Sequence, residues 1–235
     1  YCINALYDLA SDRQHPKKKH RPFASGVISV RSGSVCFVAA LAASFFFGTF
    51  LPWKFMLCLV GYFALTISYT IFLKRRLFLD VVALAALYVI RLVGGAAAIG
   101  SALSSWLLAF GIFIFLGLAL MKRAGDLIRH DGLDELHGRA YRSDDTLILE
   151  MMAVCAGFSS VVVSALYVDS LKALQLYKHA HFLWGVCLVL IYWYGRLCLK
   201  MHRGETGDDP VAFAVKDKVS HVCFLFVCVL IFLAA

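Results

Sequence analysis

Charge is scarce in this chain, and carboxylates are scarcer than cations. Charged residues make up 16% of the 235, apolar residues 61%, and mean hydropathy is +0.79. Ordinary soluble domains carry about 25% charged and 45–50% apolar residues, so this composition excludes a water-soluble globular domain and indicates an integral membrane protein. The 23 Lys and Arg outnumber 15 Asp and Glu for a net charge of +8, but no RNA- or DNA-binding motif accompanies the excess. Anionic lipid and a phosphorylated substrate are the better partners. The eight cysteines lack CxxC spacing and lie mostly inside apolar runs, which excludes a zinc site or a disulfide framework and leaves small apolar packing residues. None of the eight histidines stands at a convincing metal-ligand spacing. There is no internal repeat and no low-complexity linker, so residues 1–235 read as one membrane domain. The chain opens on Tyr1, not on an initiator Met, with a polar motif beginning at once. It is expected to be a fragment lacking N-terminal helices, and no signal peptide can be read from such a start.

Long apolar runs fill most of what remains. They cover about residues 34–51, 55–73, 78–100, 103–121, 147–168, 182–199 and 219–235. Each approaches the roughly 20 residues a helix needs to cross a bilayer, and each is too continuous for a barrel strand. Seven transmembrane helices are expected, the last the shortest. Lys and Arg gather in residues 13–32, 74–76, 122–142 and 196–218, which hold 19 of the 23 and fall in alternate connections. The positive-inside rule makes that side cytoplasmic. Fourteen of the fifteen acids, all but Asp169, fall there too, so the ionic chemistry faces the cytoplasm. The long polar segments 122–145 and 203–218 suit substrate binding, while uncharged turns such as 100–105 serve as connectors.

The most informative pattern is Asn4-x-x-x-Asp8-x-x-x-Asp12. Fourfold spacing puts an amide and two carboxylates on one helical face with about 40° of drift per step. This is a hard-oxygen ledge of the type Mg²⁺ shares with substrate phosphates. The stretch from Arg13 to Pro22, with Lys17, Lys18, Lys19 and Arg21, can supply the cations a polyphosphate needs. Spacing alone would favour a solvated helix end, since short motifs recur by chance. The lysine cluster could equally be a topology anchor worth about 1 kcal/mol per charge near anionic lipid.

The order of Asn4, Asp8, Asp12, the basic loop and Arg21-Pro22-x-x-x-Gly26 resembles the first signature of the UbiA superfamily of intramembrane prenyltransferases. Ala5 stands where that signature carries a further acid. The second acidic motif is expected after a later helix, where Lys122-Arg123-x-x-Asp126 stands. There His130, with Asp131 beside it, takes the place of the second acid. Within the superfamily the chain is most similar to the decaprenyl-phosphate phosphoribosyltransferase branch. The resemblance rests on Asp12-Arg13-x-His15-Pro16-x-Lys18, Arg21-Pro22-x-Ala24-x-Gly26, Tyr69-x-x-x-x-Lys74, and Tyr88-x-x-Arg91-x-x-x-Gly95. Leu103-Ser104-x-Trp106, Lys122-Arg123 and Pro210-x-x-x-Ala214-x-Lys216-Asp217-Lys218 continue it, covering nearly the whole chain. The Arg203–Pro210 block resembles a bacterial subgroup in which a haloacid-dehalogenase-like phosphatase domain often precedes the membrane domain.

The resemblance implies an all-α, UbiA-like polytopic bundle with about seven of the usual nine helices, in a bacterial inner membrane. It implies Mg²⁺-dependent transfer of 5-phosphoribose from phosphoribosyl pyrophosphate to a polyprenyl phosphate, with release of pyrophosphate. The attacking oxygen is already an anion, so the reaction needs stabilisation of the departing pyrophosphate and of an oxocarbenium-like ribose, not a strong base. Asp8, Asp12 and Asp126 are the expected catalytic carboxylates and, with Asn4, the metal ligands. Asn4, Lys17, Arg21, Tyr69, Lys74, Arg91, Lys122, Arg123 and Tyr141 are the expected substrate contacts. Arg91 lies inside an apolar run, where an arginine costs about 2.5–3.5 kcal/mol on insertion scales and usually faces a polar cavity. Asp80, eleven residues away, is too far along one helix to pair with it. Tyr69, Tyr88 and Tyr141 serve equally well as interface aromatics. Glu205, Asp208, Asp209 and Asp217 read as a solvated or loop-ordering cluster, and Gly94-Gly95 as a close-packing point.

Two alternatives stand beside this reading. One is prenyl transfer from a prenyl diphosphate to an aromatic or other small acceptor. The other is a non-catalytic seven-helix receptor or transporter; against it stand the concentration of both polar motifs on the cytoplasmic side and the near-featureless outer loops, since alternating access wants polar groups near mid-membrane. Homo-oligomerisation stays open.

Overall fold

The computed structural model describes residues 22–129, 140–207 and 209–235, together with Ala5, Leu9, Arg13 and residues 18–20. Among these residues there is no β-strand, and the fold is all-α as expected. Helices α1 (Val30–Gly48), α2 (Trp53–Ile71), α3 (Leu79–Ala98) and α4 (Ser105–Arg129) are long and apolar enough to cross a membrane. So are α5 (Thr146–Val168) and α7 (Leu183–His202), which flank the short α6 (Leu171–Leu176). At 1.5 Å per residue, 19–25 residues span about 28–38 Å, enough for the hydrocarbon core.

A seventh span is reached only when a bent pair of helices counts as one. α8 (Pro210–Lys216) and α9 (Lys218–Ala234) meet at a 78° bend. Asp209 explains where α8 starts: its carboxylate caps the N–H groups of Val211 (2.9 Å) and Ala212 (3.4 Å), and Pro210 fills the first helical position. Asp217 explains the break. It ends α8 and caps α9, accepting from the Ser220 N–H at 2.9 Å, while Arg196 of α7 grips both its oxygens at 2.6 and 3.0 Å. Both acids therefore order the chain locally.

α4 runs two turns beyond residue 121, where the sequence placed the end of its span. Hydropathy stops at the first charges, but the helix does not. Its last turns are held by Asp126, which pairs with Arg123 and Arg129 at i,i+3 spacing. Lys122, Arg123 and Asp126 thus sit on a helix end and not in a loop.

The chain divides into two compact units, residues 1–74 with 93–102, and residues 75–92 with 103–235. In the first, Ser29 caps α1 by accepting from the Ser32 N–H at 3.1 Å. The Phe23 ring occupies the space a Cβ at Gly33 would need, which fastens the entry turn onto α1. Phe37 of α1 and Phe63 of α2 stack with centroids 6.5 Å apart.

In the second unit α4, α5 and α7 pack around Leu118, Met121, Leu149, Ala153, Tyr194 and Leu197. Two glycines make this possible. A Cβ on Gly117 would run into the Tyr194 hydroxyl, and one on Gly157 into the Tyr194 ring. The same hydroxyl donates to the Ala153 carbonyl at 2.7 Å, so the buried phenol is satisfied. Close packing is concentrated here and not at Gly94-Gly95: a Cβ at Gly95 would meet nothing within 4 Å, and one at Gly94 would make an ordinary 3.5 Å contact with Cys58.

Candidate active site at the end of α4

The C-terminal turns of α4 carry an alternating chain of charges. Arg123, 1% exposed, donates Nε–H to Oδ2 of Asp80 at 2.5 Å and Nη1–H to Oδ2 of Asp126 at 2.7 Å. Arg129 donates from Nη2 to the other oxygen of Asp126 at 2.9 Å and from Nη1 to the Gly207 carbonyl. The order is Asp80, Arg123, Asp126, Arg129: two negative and two positive charges in alternation, running from the first turn of α3 to the turn before α8. Helical spacing explains the arrangement, since positions 123, 126 and 129 are successive i,i+3 neighbours.

Asp80 has a second donor. Tyr141, buried just before α5, donates its hydroxyl to Oδ1 at 2.5 Å and accepts the Phe78 N–H at 3.1 Å. Burial, the hydrogen bond to Asp80 and its negative charge all push the phenol above its ordinary 10, so it stays a donor through the physiological range. Phe78 adopts φ +64°, a left-handed conformation unusual for a residue with a side chain, and the Tyr141 contact holds it there.

Lys122, one turn before Asp126 on α4, donates to Asp209. Burial raises the Asp209 carboxyl, but the lysine and the two N–H groups of α8 outweigh it, and the group ends below its ordinary value. A phosphate reaching Lys122 would therefore compete with a carboxylate already in place.

The structure brings Lys122, Arg123, Asp126 and Tyr141 together in one unit. Arg123 is buried between two carboxylates, so its position suits support of Asp126 more than the direct phosphate contact expected of it. Arg91, on α3 of the same unit, is exposed and stacks over the Tyr88 ring at 5.0 Å, with Phe115 stacked on Tyr88 at 5.1 Å. Tyr69, half-buried on α2, and Lys74, buried in a single turn after it, belong to the other unit. Asn4, Asp8, Asp12, Lys17 and Arg21 lie outside the described residues, as do His130 and Asp131. Among the described residues no three His, Cys, Asp or Glu side chains gather as a metal site. Asp126 offers carboxylate oxygen, the donor chemistry Mg²⁺ takes. Sequence reasoning weighed Asp80 only as a partner for Arg91 and not as part of the site, although it is the one acid in the run 78–100, and an intramembrane ionisable group is a candidate by default.

The profile of the UbiA prenyltransferase family matches residues 1–225. The chain belongs to the UbiA prenyltransferase family. It is 33% identical over 227 residues to the nodulation protein NoeC of Azorhizobium caulinodans, covering 96% of this chain and 74% of that protein. An uncharacterized protein of Sinorhizobium fredii is 34% identical over 223 residues, covering 94% of this chain but 43% of its own length. A decaprenyl-phosphate phosphoribosyltransferase of Mycolicibacterium smegmatis is 28% identical over 237 residues, covering 96% and 72%. UbiA membership places the chain among membrane transferases that generally work on diphosphate-type substrates with Mg²⁺. The charged cluster at the end of α4 includes the Lys122-Arg123-x-x-Asp126 segment that carries the resemblance to the family's second acidic motif.

Proposed function

We propose that this UbiA-family protein transfers 5-phosphoribose from phosphoribosyl pyrophosphate to a polyprenyl phosphate. The observation that carries the reading is the placement, one turn apart at the end of α4, of a hard-oxygen donor, Asp126, held by Arg123, and an ammonium, Lys122, held by Asp209. It occurs in a chain similar over 96% of its length to a decaprenyl-phosphate phosphoribosyltransferase. A phosphate oxygen of the lipid attacks C1 of the ribose. The C1–O bond to pyrophosphate breaks, its electron pair leaves with pyrophosphate, and no proton has to be abstracted.

The protein's work is to hold anions. Lys122, released by Asp209, takes a phosphate oxygen, and Lys17, Arg21 and Lys74 are assigned the same task. Arg123 and Arg129 fix both oxygens of Asp126. Asn4, Asp8, Asp12 and Asp126 are the proposed Mg²⁺ ligands, and the bound cation supplies charge stabilisation for the departing pyrophosphate. Arg91, raised on Tyr88, is assigned to an anionic part of the substrate, and Tyr69 and Tyr141 to its surroundings. We place the site on the cytoplasmic face of a bacterial inner membrane, following the bias of Lys and Arg. Prenyl transfer from a prenyl diphosphate is the second reading, favoured by the family's name and by the pyrophosphate common to both reactions. The test is incubation of the full-length protein with Mg²⁺, polyprenyl phosphate and radiolabelled phosphoribosyl pyrophosphate. A labelled lipid is expected; prenylation of an aromatic acceptor without one would select the second reading.

A further inference from the structure

We infer that Asp80 is a positioning residue: acting through Arg123, it sets the Asp126 carboxylate, while Tyr141, ahead of α5, locks Asp80. The inference rests on the reading of Asp126 as part of a pyrophosphate site.

Asp80 is 0% exposed and cannot reach a substrate from solution. Oδ1 accepts from Tyr141 Oη and Oδ2 from Arg123 Nε, partners 61 and 43 positions away, each at 2.5 Å. Arg123 then presents Nη1 to Asp126. A guanidinium is a rigid plane with donors in fixed directions, so fixing Nε by Asp80 also fixes where Nη1 points. Asp126 and Arg129, with side chains 18% and 17% exposed, are the members of this run that reach the surface.

Charge balance adds a second effect. With Asp80 present, Arg123 stands between two carboxylates, Asp80 and Asp126, and Asp126 stands between two guanidiniums, Arg123 and Arg129. Without that charge, Asp126 becomes the main counterion of a buried arginine and is drawn away from any ligand. Stability alone does not account for this arrangement, since apolar replacements of a buried ion pair are often neutral or stabilising. Position is what the pair supplies. The turn before α3 is shaped to the same end: Phe78 takes its left-handed conformation and gives its N–H to the tyrosine that binds Asp80.

The test uses the full-length protein in detergent micelles, Mg²⁺ with inorganic pyrophosphate as the probe, and calorimetry as the readout. Asp80→Asn keeps the shape and removes the charge. It is expected to weaken pyrophosphate binding about 10–100-fold, the usual loss when an outer partner of a ligating group is removed. Tyr141→Phe keeps both charges, guards against misfolding of the first variant, and should weaken binding in the same direction. In the double variant Asp80→Asn, Arg123→Gln the buried charge is gone; its melting midpoint should move back toward wild type while affinity stays low. Unchanged or tighter pyrophosphate binding in Asp80→Asn would overturn the inference, because Asp80 would then be a mere counterion. So would recovery of affinity in the double variant. Pyrophosphate is a product of either transfer reaction, so a protein that transfers no phosphoribose but loses pyrophosphate in Asp80→Asn refutes the proposed substrate and keeps the role of Asp80. A wild-type protein that binds no pyrophosphate refutes both.

Discussion

Lys122 and Asp209 meet across 87 positions of sequence, joining the end of α4 to the start of α8. The same carboxylate caps α8, so one side chain serves as ion-pair partner and helix cap at once. Whatever binds Lys122 therefore pulls on the start of α8.

Replacing Asp209 by Ala should lower stability by about 1–2 kcal/mol, mostly through the lost cap, with little from a partly exposed ion pair. Thermal denaturation in micelles measures it. Asp209→Asn should lose less, because an amide still caps. Both should tighten pyrophosphate binding if Lys122 is a phosphate contact; unchanged affinity would remove Lys122 from the site.

The Asp209 carboxyl is held below its ordinary value in the folded protein. Its stabilising contribution is therefore complete above the ordinary carboxylate range and is lost as pH falls through the folded value. Melting midpoints measured from neutral to acid pH should fall more steeply for wild type than for Asp209→Asn. Parallel curves would mean the pair contributes nothing in solution.

Tyr141→Phe leaves Asp80 with one donor fewer and the Phe78 N–H without this acceptor. A loss of about 1–3 kcal/mol is expected, the penalty for stranding a buried polar group. The phenol is held above its ordinary value, so spectrophotometric titration near pH 10 should show one fewer difference in tyrosinate between wild type and Tyr141→Phe than free phenols would give.

Gly157→Ala places a methyl in the Tyr194 ring. Overpacking of this kind typically costs about 1–3 kcal/mol, and Tyr194→Leu in the same chain should recover part of it. No loss of melting midpoint in Gly157→Ala would mean α5 and α7 are further apart than the structure has them.

Arg91→Leu should weaken binding of the anionic substrate and leave the melting midpoint near wild type. Unchanged affinity with a lower midpoint would reduce Arg91 to a partner for Tyr88.

The membrane class and six of the spans were legible because hydropathy is set by composition over about twenty residues. The end of α4 was not, because Lys122, Arg123, Asp126 and Arg129 look like a loop to hydropathy, and only the i,i+3 pairing of Arg123 and Arg129 with Asp126 marks a helix. The 78° bend was hidden for a similar reason. Asp209-Pro210 is a readable helix start, but the stop at Asp217 depends on Arg196, which the sequence places 21 positions earlier. The candidate site was half legible. Lys122, Arg123 and Asp126 stand out as a motif, whereas Asp80 acquires its meaning from Arg123 and Tyr141, partners that only folding brings to it. Gly117 and Gly157 were equally silent, since nothing in their neighbours announces the Tyr194 ring that needs their space.

The most direct measurement is the release of pyrophosphate by the full-length protein, followed with Mg²⁺ and each substrate alone or together. Phosphoribosyl transfer predicts release only when phosphoribosyl pyrophosphate and polyprenyl phosphate are both present, one pyrophosphate per labelled lipid, and its loss in Asp126→Ala, Asp8→Ala and Asp12→Ala variants that keep the wild-type melting midpoint. Release from prenyl diphosphate instead, or full turnover in correctly folded Asp126→Ala, would contradict it.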